Sequence, residues 1–425
     1  MNKKRFAIAG TGVRSLCFAR ALLNQFQDCA ELVGLFDANR RRMAGFNQLL
    51  QTDIPAFQDF DRMTREVRPT HLIIGTPDHT HDAFIRMAFE NDMDVICEKP
   101  LTTTVEKVKA ILDLESKYQR KVVVAFNYRW VPYVARIKEI IMEGSLGKPL
   151  SVALDWHLDK VHGAEYFRRW HATMENSGGL LVHKSTHHFD LVNWLLDDEP
   201  ATVSALGALL VYGANGTFRG ERCSTCPHAG GRCPFEMKTH LEESDKDVFD
   251  KLYWDAEDED GYIRDRCVYR ESIDVDDTMN VAVAYRSGAQ LSYTLNAYAP
   301  YEGYELHMTF EHGRIEARES HAGIFMHSDE DQQVIRLFRG TDRAHQTLDE
   351  IPVDVDKSAH GGGDNRLYRN LFRGDWDDRL HQGADSWAGA MSCLVGMAAN
   401  RSIAEKRTVS LEELLPEKPY RKDRA

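Results

Sequence analysis

Lys99 stands between Glu98 and Pro100, directly after the apolar run 94–97, and a second basic group gathers at His183, Lys184, His187 and His188. Such side chains can hold or move a proton near neutral pH. An ammonium fixed at a strand end can orient a hydroxyl and lower its pKa, and a neutral imidazole within hydrogen-bond reach can take the proton away. Spacing alone leaves the histidines open. His183 and His187 fall four apart, on one face of a predicted helix whose apolar stripe continues through Leu191, Trp194 and Leu195. That is also a zinc-ligand spacing, but Lys184 stands where the metalloprotease pattern has Glu, and an ammonium beside a dication is costly. A third group is Cys223, Cys226 and Cys233, with Cys267 farther on. Four thiolates suit a tetrahedral structural zinc, with His228 competing for the fourth place; free thiols and a disulfide are the alternatives.

These groups need elements to position them. From Arg5 to Phe126 short apolar runs at 6–9, 32–36, 71–75, 94–97 and 121–125 alternate with helix-length amphipathic stretches, the pattern of a doubly wound parallel sheet in an α/β unit. The first strand runs into Gly10-Thr11-Gly12-Val13-Arg14-Ser15 and a helix. Gly10 permits the tight turn, Gly12 lets a pyrophosphate approach the backbone, and Val13, Arg14 and Ser15 open a helix whose amides favour an anion. Asp37 closes the next strand, 22 residues after Ser15, and suits both ribose hydroxyls while repelling a 2′-phosphate, which favours NAD over NADP; Arg40, Arg41 and Arg42 pull the other way. Thr76-Pro77 with His81, and Glu98-Lys99-Pro100, follow later strands, at the edge where such sheets bind ligands.

After residue 127 the pattern turns to a helix at 134–143 and alternating strands, including 203–210, 280–285, 290–296 and 305–310. We therefore expect a nucleotide unit at 1–126 and a second unit at 127–425, with a cysteine-bearing insert at about 210–270. The acidic run 255–260 in that insert is expected to be a solvated loop or a partner-facing flap.

The Gly-rich turn, Thr76-Pro77, Glu98-Lys99-Pro100 and Phe126-Asn127-Tyr128-Arg129 together resemble the glucose-fructose oxidoreductase, inositol dehydrogenase and rhizopine-catabolism family, over nearly the whole chain. The resemblance implies an N-terminal Rossmann unit and a C-terminal α+β unit with an open, mainly antiparallel sheet. It further implies a catalytic Lys99, Asn127 at the cofactor, and homodimers or homotetramers formed through that sheet. The family's Gly-Gly-x3-Asp-x3-His-x2-Asp pattern is matched by His187 and Asp190, but His183 replaces its first Asp. On this footing His187, assisted by Lys99, is the expected base, with His183 and Lys184 beside it. The His183-Lys184 pair should push the His187 pKa down. Tyr128, Arg129, Trp156, Lys184, His187 and His188 would line the substrate site.

The expected substrate is a carbohydrate or cyclitol, oxidised or reduced at a secondary hydroxyl. A redox-neutral glycosidase, lyase or epimerase working through transient ring oxidation is the alternative. A net charge of −13 without a concentrated basic patch argues against nucleic acid. The first apolar run is too short for a signal-peptide core, and no window approaches the ~18 apolar residues of a membrane span, so a cytoplasmic protein is expected.

Overall fold

The computed structural model describes residues 3–237, 243–322, 332–342 and 344–415. Strands β1 (Lys4–Ala9), β2 (Ala30–Phe36), β3 (Ala56–Phe57), β4 (His71–Ile74), β5 (Asp94–Cys97) and β6 (Val122–Val124) form a parallel sheet in the order β3-β2-β1-β4-β5-β6. Parallel strands need crossovers, which here are mostly helices covering both faces, so the strands are apolar without alternation. In β1, Phe6 and Ile8 join one core with Leu16, Phe18 and Leu22 of α1 (Val13–Asn24), while Ala7 and Ala9 join the other with Ile85 and Phe89. The first of these cores is completed from far downstream by Leu367, Tyr368, Leu371 and Phe372, with Phe372 set edge-on to Phe6 at 5.1 Å. The strand order reverses between β1 and β4, which opens a crevice at their carboxyl ends.

The second sheet has nine strands: β7 (Pro149–Asp159), β8 (Pro200–Ala208), β9 (Thr278–Tyr285), β10 (Gln290–Ala299), β11 (Glu302–Phe310), β12 (Gly313–Ala322), β13 (Gln332–Arg339), β14 (Thr347–Asp354) and β15 (Val409–Ser410). Their order is β14-β13-β12-β11-β7-β10-β9-β8-β15, antiparallel throughout except for β7 beside β10. Alternation decides the faces. Met279, Val281, Val283 and Tyr285 are buried while Asn280 and Ala282 between them are exposed. The expected sheet architecture is therefore present in both halves.

Two expectations need correction. His183 and His187 do not share one helix: a short helix, Leu180–His183, ends, and a break separates it from the next, Thr186–Leu196. In that break the Ser185 N–H reaches back five residues to the Leu180 carbonyl at 2.9 Å, a wide turn that rotates the two imidazoles apart. The acidic run 255–260 is helical rather than a loop, although Asp255, Asp258, Glu259 and Asp260 are exposed as expected. Leu252, Tyr253 and Ala256 are buried, and they carry the run onto the helix Arg40–Leu50 of the first unit.

Candidate active site

At the carboxyl end of β1, Gly10 has φ +85°, and a Cβ there would sit 2.8 Å from the Gly75 backbone, so the turn requires glycine. The N-cap Gly12 has no side chain to cap α1; its first amide, Val13 N, meets the Tyr253 hydroxyl at 3.3 Å, and the amides that follow face the turn where an anion would bind. Ser15 lies beneath the turn, fully buried, close enough to Gly75 to forbid a side chain there; it serves helix–sheet packing, the usual role of the third glycine. The Asp37 carboxylate accepts from Thr11 N and Oγ1, both at 2.8 Å, and from Asn39 N at 2.9 Å, and it meets Arg42 Nη1 at 3.3 Å. Those donors fill its lone pairs, so ribose hydroxyls would compete with them.

Arg14, assigned from sequence to the cofactor, is a strut. Its Nε donates to Glu98 Oε1 at 2.6 Å, and its two terminal nitrogens grip Asp364 at 2.8 and 3.0 Å. Asp364 also accepts from Asn127 Nδ2 at 3.0 Å and pairs with His360 at 2.8 Å. The buried Asn127 Oδ1 has no partner among the described residues, an acceptor of the kind a carboxamide N–H satisfies. The helix N-terminus behind the Gly-rich turn and this orphaned acceptor fit a nicotinamide dinucleotide. His81 does not face it: both ring nitrogens lie on backbone carbonyls, Pro100 O at 2.8 Å and Thr76 O at 3.0 Å, so it braces the two strand-end loops. Thr76 and Pro77 sit half-exposed at the end of β4.

The Lys99–Pro100 peptide is cis, and Lys99 Nζ donates to the His183 carbonyl at 2.9 Å. His183 turns its Nδ1 onto Asp78 Oδ2 at 2.5 Å, both side chains being buried. Burial drives this pair toward its neutral forms: the imidazole pKa lies well below the usual range, through desolvation and then Lys99, while desolvation raises that of Asp78 well above it. A buried carboxyl, Asp78 of the first unit, thus stands beside position 183, where the family pattern has Asp, but it pairs with His183 and not with His187. The same cluster contains His171, whose ring centroid is 4.1 Å from that of His183, with Tyr166 and Trp170 edge-on to His183.

His187 lies half-buried against Phe126 and Tyr128, and its buried Nδ1 has no partner among the described residues. Desolvation, then Lys99 and Lys184, hold its pKa well below the usual value, in the direction expected but with burial as the leading cause. Lys184 is buried with its ammonium 5.5 Å over the Trp156 ring, and burial lowers its pKa to about 8. The structure therefore gathers Asp78, Lys99, His171, His183, Lys184 and His187. Nothing in the spacing marks Asp78 or His171; the only signal was their position, after a strand end and before Gly178-Gly179.

Three substrate assignments fail on burial. Trp156 is fully buried and stacks between His188 (3.7 Å) and Tyr304 (4.8 Å), and His188 in turn meets Tyr293 Oη at 2.7 Å, so both belong to the sheet's inner core. Arg129 makes a bidentate pair with Asp190 at 2.7 and 2.6 Å, the two side chains being 4% and 2% exposed, and this pair welds the chain after β6 to the helix Thr186–Leu196.

The zinc expectation is also corrected. Cys223, Cys226, Cys233 and Cys267 line one small cavity, but as free thiols. Among the described residues no three His, Cys, Asp or Glu are arranged to hold a metal ion, at these cysteines or at His183 and His187. Arg168 enters the cysteine cavity with Nη1 3.2 Å from Cys223 Sγ, a buried cation that a dication bound there would repel, and burial raises the Cys233 thiol pKa.

Residues 4–126 match the NAD-binding Rossmann-fold model of an oxidoreductase family, GFO_IDH_MocA, and residues 138–411 match that family's C-terminal alpha/beta model. YteT of Bacillus subtilis, whose name gives only the class oxidoreductase, is 38% identical over 429 residues, 97% of this chain and 98% of that protein. Inositol 2-dehydrogenase of Rhizobium meliloti is 30% identical over 145 residues, 34% of this chain and 42% of that protein. Among solved structures, levoglucosan dehydrogenase in complex with NADH and L-sorbose has the same fold, with TM-score 0.68 at 18% identity over 97% of this chain and 100% of that one.

Proposed function

The chain belongs to the GFO_IDH_MocA oxidoreductase family, and from that membership we propose that it moves a hydride between NAD and a secondary hydroxyl of a sugar, sugar derivative or cyclitol, with Lys99 and His187 handling the proton. The class is that of NAD-dependent sugar and cyclitol dehydrogenases. The observation that carries the finer reading is Lys99, held by the His183 carbonyl at 2.9 Å at the strand end next to the Gly-rich turn, with His187 half-buried in the same cluster.

When bound, NAD supplies the hydride acceptor at C4 of its nicotinamide. Lys99 donates to the substrate oxygen and stabilises its developing negative charge. His187, neutral because burial disfavours its cation, takes the hydroxyl proton as the carbonyl forms. Lys184 and Tyr128 border the space beside His187 and orient hydroxyls of the substrate. Replacing Lys99→Ala should leave NAD binding in place and cut turnover by about 10²–10⁴-fold. Reduced-nicotinamide absorbance over a panel of sugars and cyclitols measures this, and retention of most activity sinks the assignment.

One observation favours a redox-neutral reading as well. The His183–Asp78 pair is a second buried proton site beside Lys99, which a simple dehydrogenation leaves unused. Transient oxidation of a ring carbon acidifies the neighbouring C–H; this pair would take that proton, a leaving group would depart, water would add, and the carbonyl would be reduced again. Product formed without net NADH, by protein purified with NAD attached, selects this route. The proposal extends to assembly: homodimers or homotetramers pairing through the outer face of the nine-stranded sheet, where Leu206 is 75% exposed.

A further inference from the structure

Arg40, Arg41 and Arg42 follow Asp37 at the point where NADP enzymes place cations for the 2′-phosphate. In the fold Arg42 is buried, Arg41 is largely exposed, and Arg40 lines an open cavity with Gln58 and Arg62. The Arg42 guanidinium is buried between Asp37 at 3.3 Å and Asp260 at 2.7 Å, and its Nε donates to the Leu252 carbonyl at 2.9 Å. Arg41 faces Asp258 at 3.7 Å, and Arg40 Nε binds Gln58. Glu259 does something more specific. One carboxylate oxygen accepts from Arg40 N at 3.0 Å and the other from Arg41 N at 2.9 Å, at the start of the helix Arg40–Leu50. A protein carboxylate thus fills the anion position that a 2′-phosphate would need.

The segment bearing Glu259 is firmly seated. Asn39 Nδ2 donates to the Ala256 carbonyl at 2.8 Å, and at Gly45 a Cβ would sit 2.5 Å from the Lys251 carbonyl, so only glycine admits the segment. Its Tyr253 hydroxyl reaches the Gly-rich turn, accepting from Val13 N at 3.3 Å and keeping its own O–H to donate. On the substrate side, Tyr262 Oη accepts from Arg169 Nε at 2.8 Å, and Arg264 lies over the Tyr253 ring and pairs with Glu165.

We infer that residues 243–262 form a cover over the ribose and pyrophosphate end of the dinucleotide site, and that Glu259 and Asp260 within it exclude NADP. A 2′-phosphate would have to displace Glu259 and would meet Asp37, Asp258 and Asp260, with Arg42 already paired to two carboxylates. The inference rests on the NAD reading of the Gly-rich turn.

The test compares NADH and NADPH binding to the full chain by energy transfer from tryptophan, for the wild type, for Glu259→Ala/Asp260→Ala and for Glu259→Gln. The ratio of the NADPH to the NADH dissociation constant should fall by about tenfold or more in the double variant, and in the same direction in Glu259→Gln. If the double variant does not fold, Glu259→Gln, which keeps the side-chain length, decides. An unchanged ratio with both nucleotides bound overturns the role of the cover and leaves the NAD reading standing. Failure of the wild type to bind NADH overturns both.

Discussion

Among the described residues His187 has no carboxylate partner and its buried Nδ1 is unpaired, and desolvation ahead of Lys99 and Lys184 holds its pKa well below the imidazole range. The neutral form is the base, so a lowered pKa extends the active range toward acid. Turnover should therefore persist below pH ~6.5, where an ordinary histidine base is protonated. On the alkaline side Lys184, with a pKa of about 8, loses its charge through that pH, and Lys184→Arg should move the alkaline fall upward. A pH profile of kcat/KM checks both limbs; an acid limb at the ordinary histidine value refutes the assignment of His187 as base. The direction of the His187 shift was legible from Lys184 as a neighbour in the chain, whereas His183, itself held neutral by burial, is not among its causes. The leading cause was not legible, because burial is a property of the packed site.

Asp364 ties three elements together: α1 through Arg14, the turn after β6 through Asn127, and its own segment through His360. Although burial opposes it, the His360 hydrogen bond and the Arg14 guanidinium hold its carboxyl well below the usual range. A depressed folded pKa means stability that is present above the unfolded value and lost as pH falls toward the folded one. Asp364→Asn should thus cost about 2–4 kcal/mol at pH 7, measured by urea denaturation, with the deficit shrinking steadily below pH ~4; a deficit independent of pH contradicts the ion-pair account. At this scale the long apolar strands were legible because burial on both faces writes continuous runs such as Leu72-Ile73-Ile74. The two-residue β3 was too short to register. The break at Lys184-Ser185 was hidden because the apolar stripe runs on across it.

The whole molecule is two sheets joined by downstream segments that return to the first unit. Phe372 and its neighbours complete the first core, and residues 243–262 close over the dinucleotide crevice. Pairing of copies through the second sheet predicts that Leu206→Asp shifts the species seen by size-exclusion chromatography with light scattering toward monomer; an unchanged mass removes that face as the interface. What the sequence determined by itself is local: the Gly10 turn, the strand ends that present Thr76 and Lys99, and the alternation that splits the second sheet into two faces, all dictated by backbone sterics and by periodicity among neighbours. What only the tertiary structure decided is who meets whom across the chain. Asp78 reaches His183 across 105 residues and Arg14 reaches Asp364 across 350, Arg129 spends its charge on Asp190, and the cysteines share their cavity with Arg168. The reason is physical: a charge or thiol acquires its partner and its pKa only when folding removes water from around it, and that removal depends on elements brought together from the whole length of the chain.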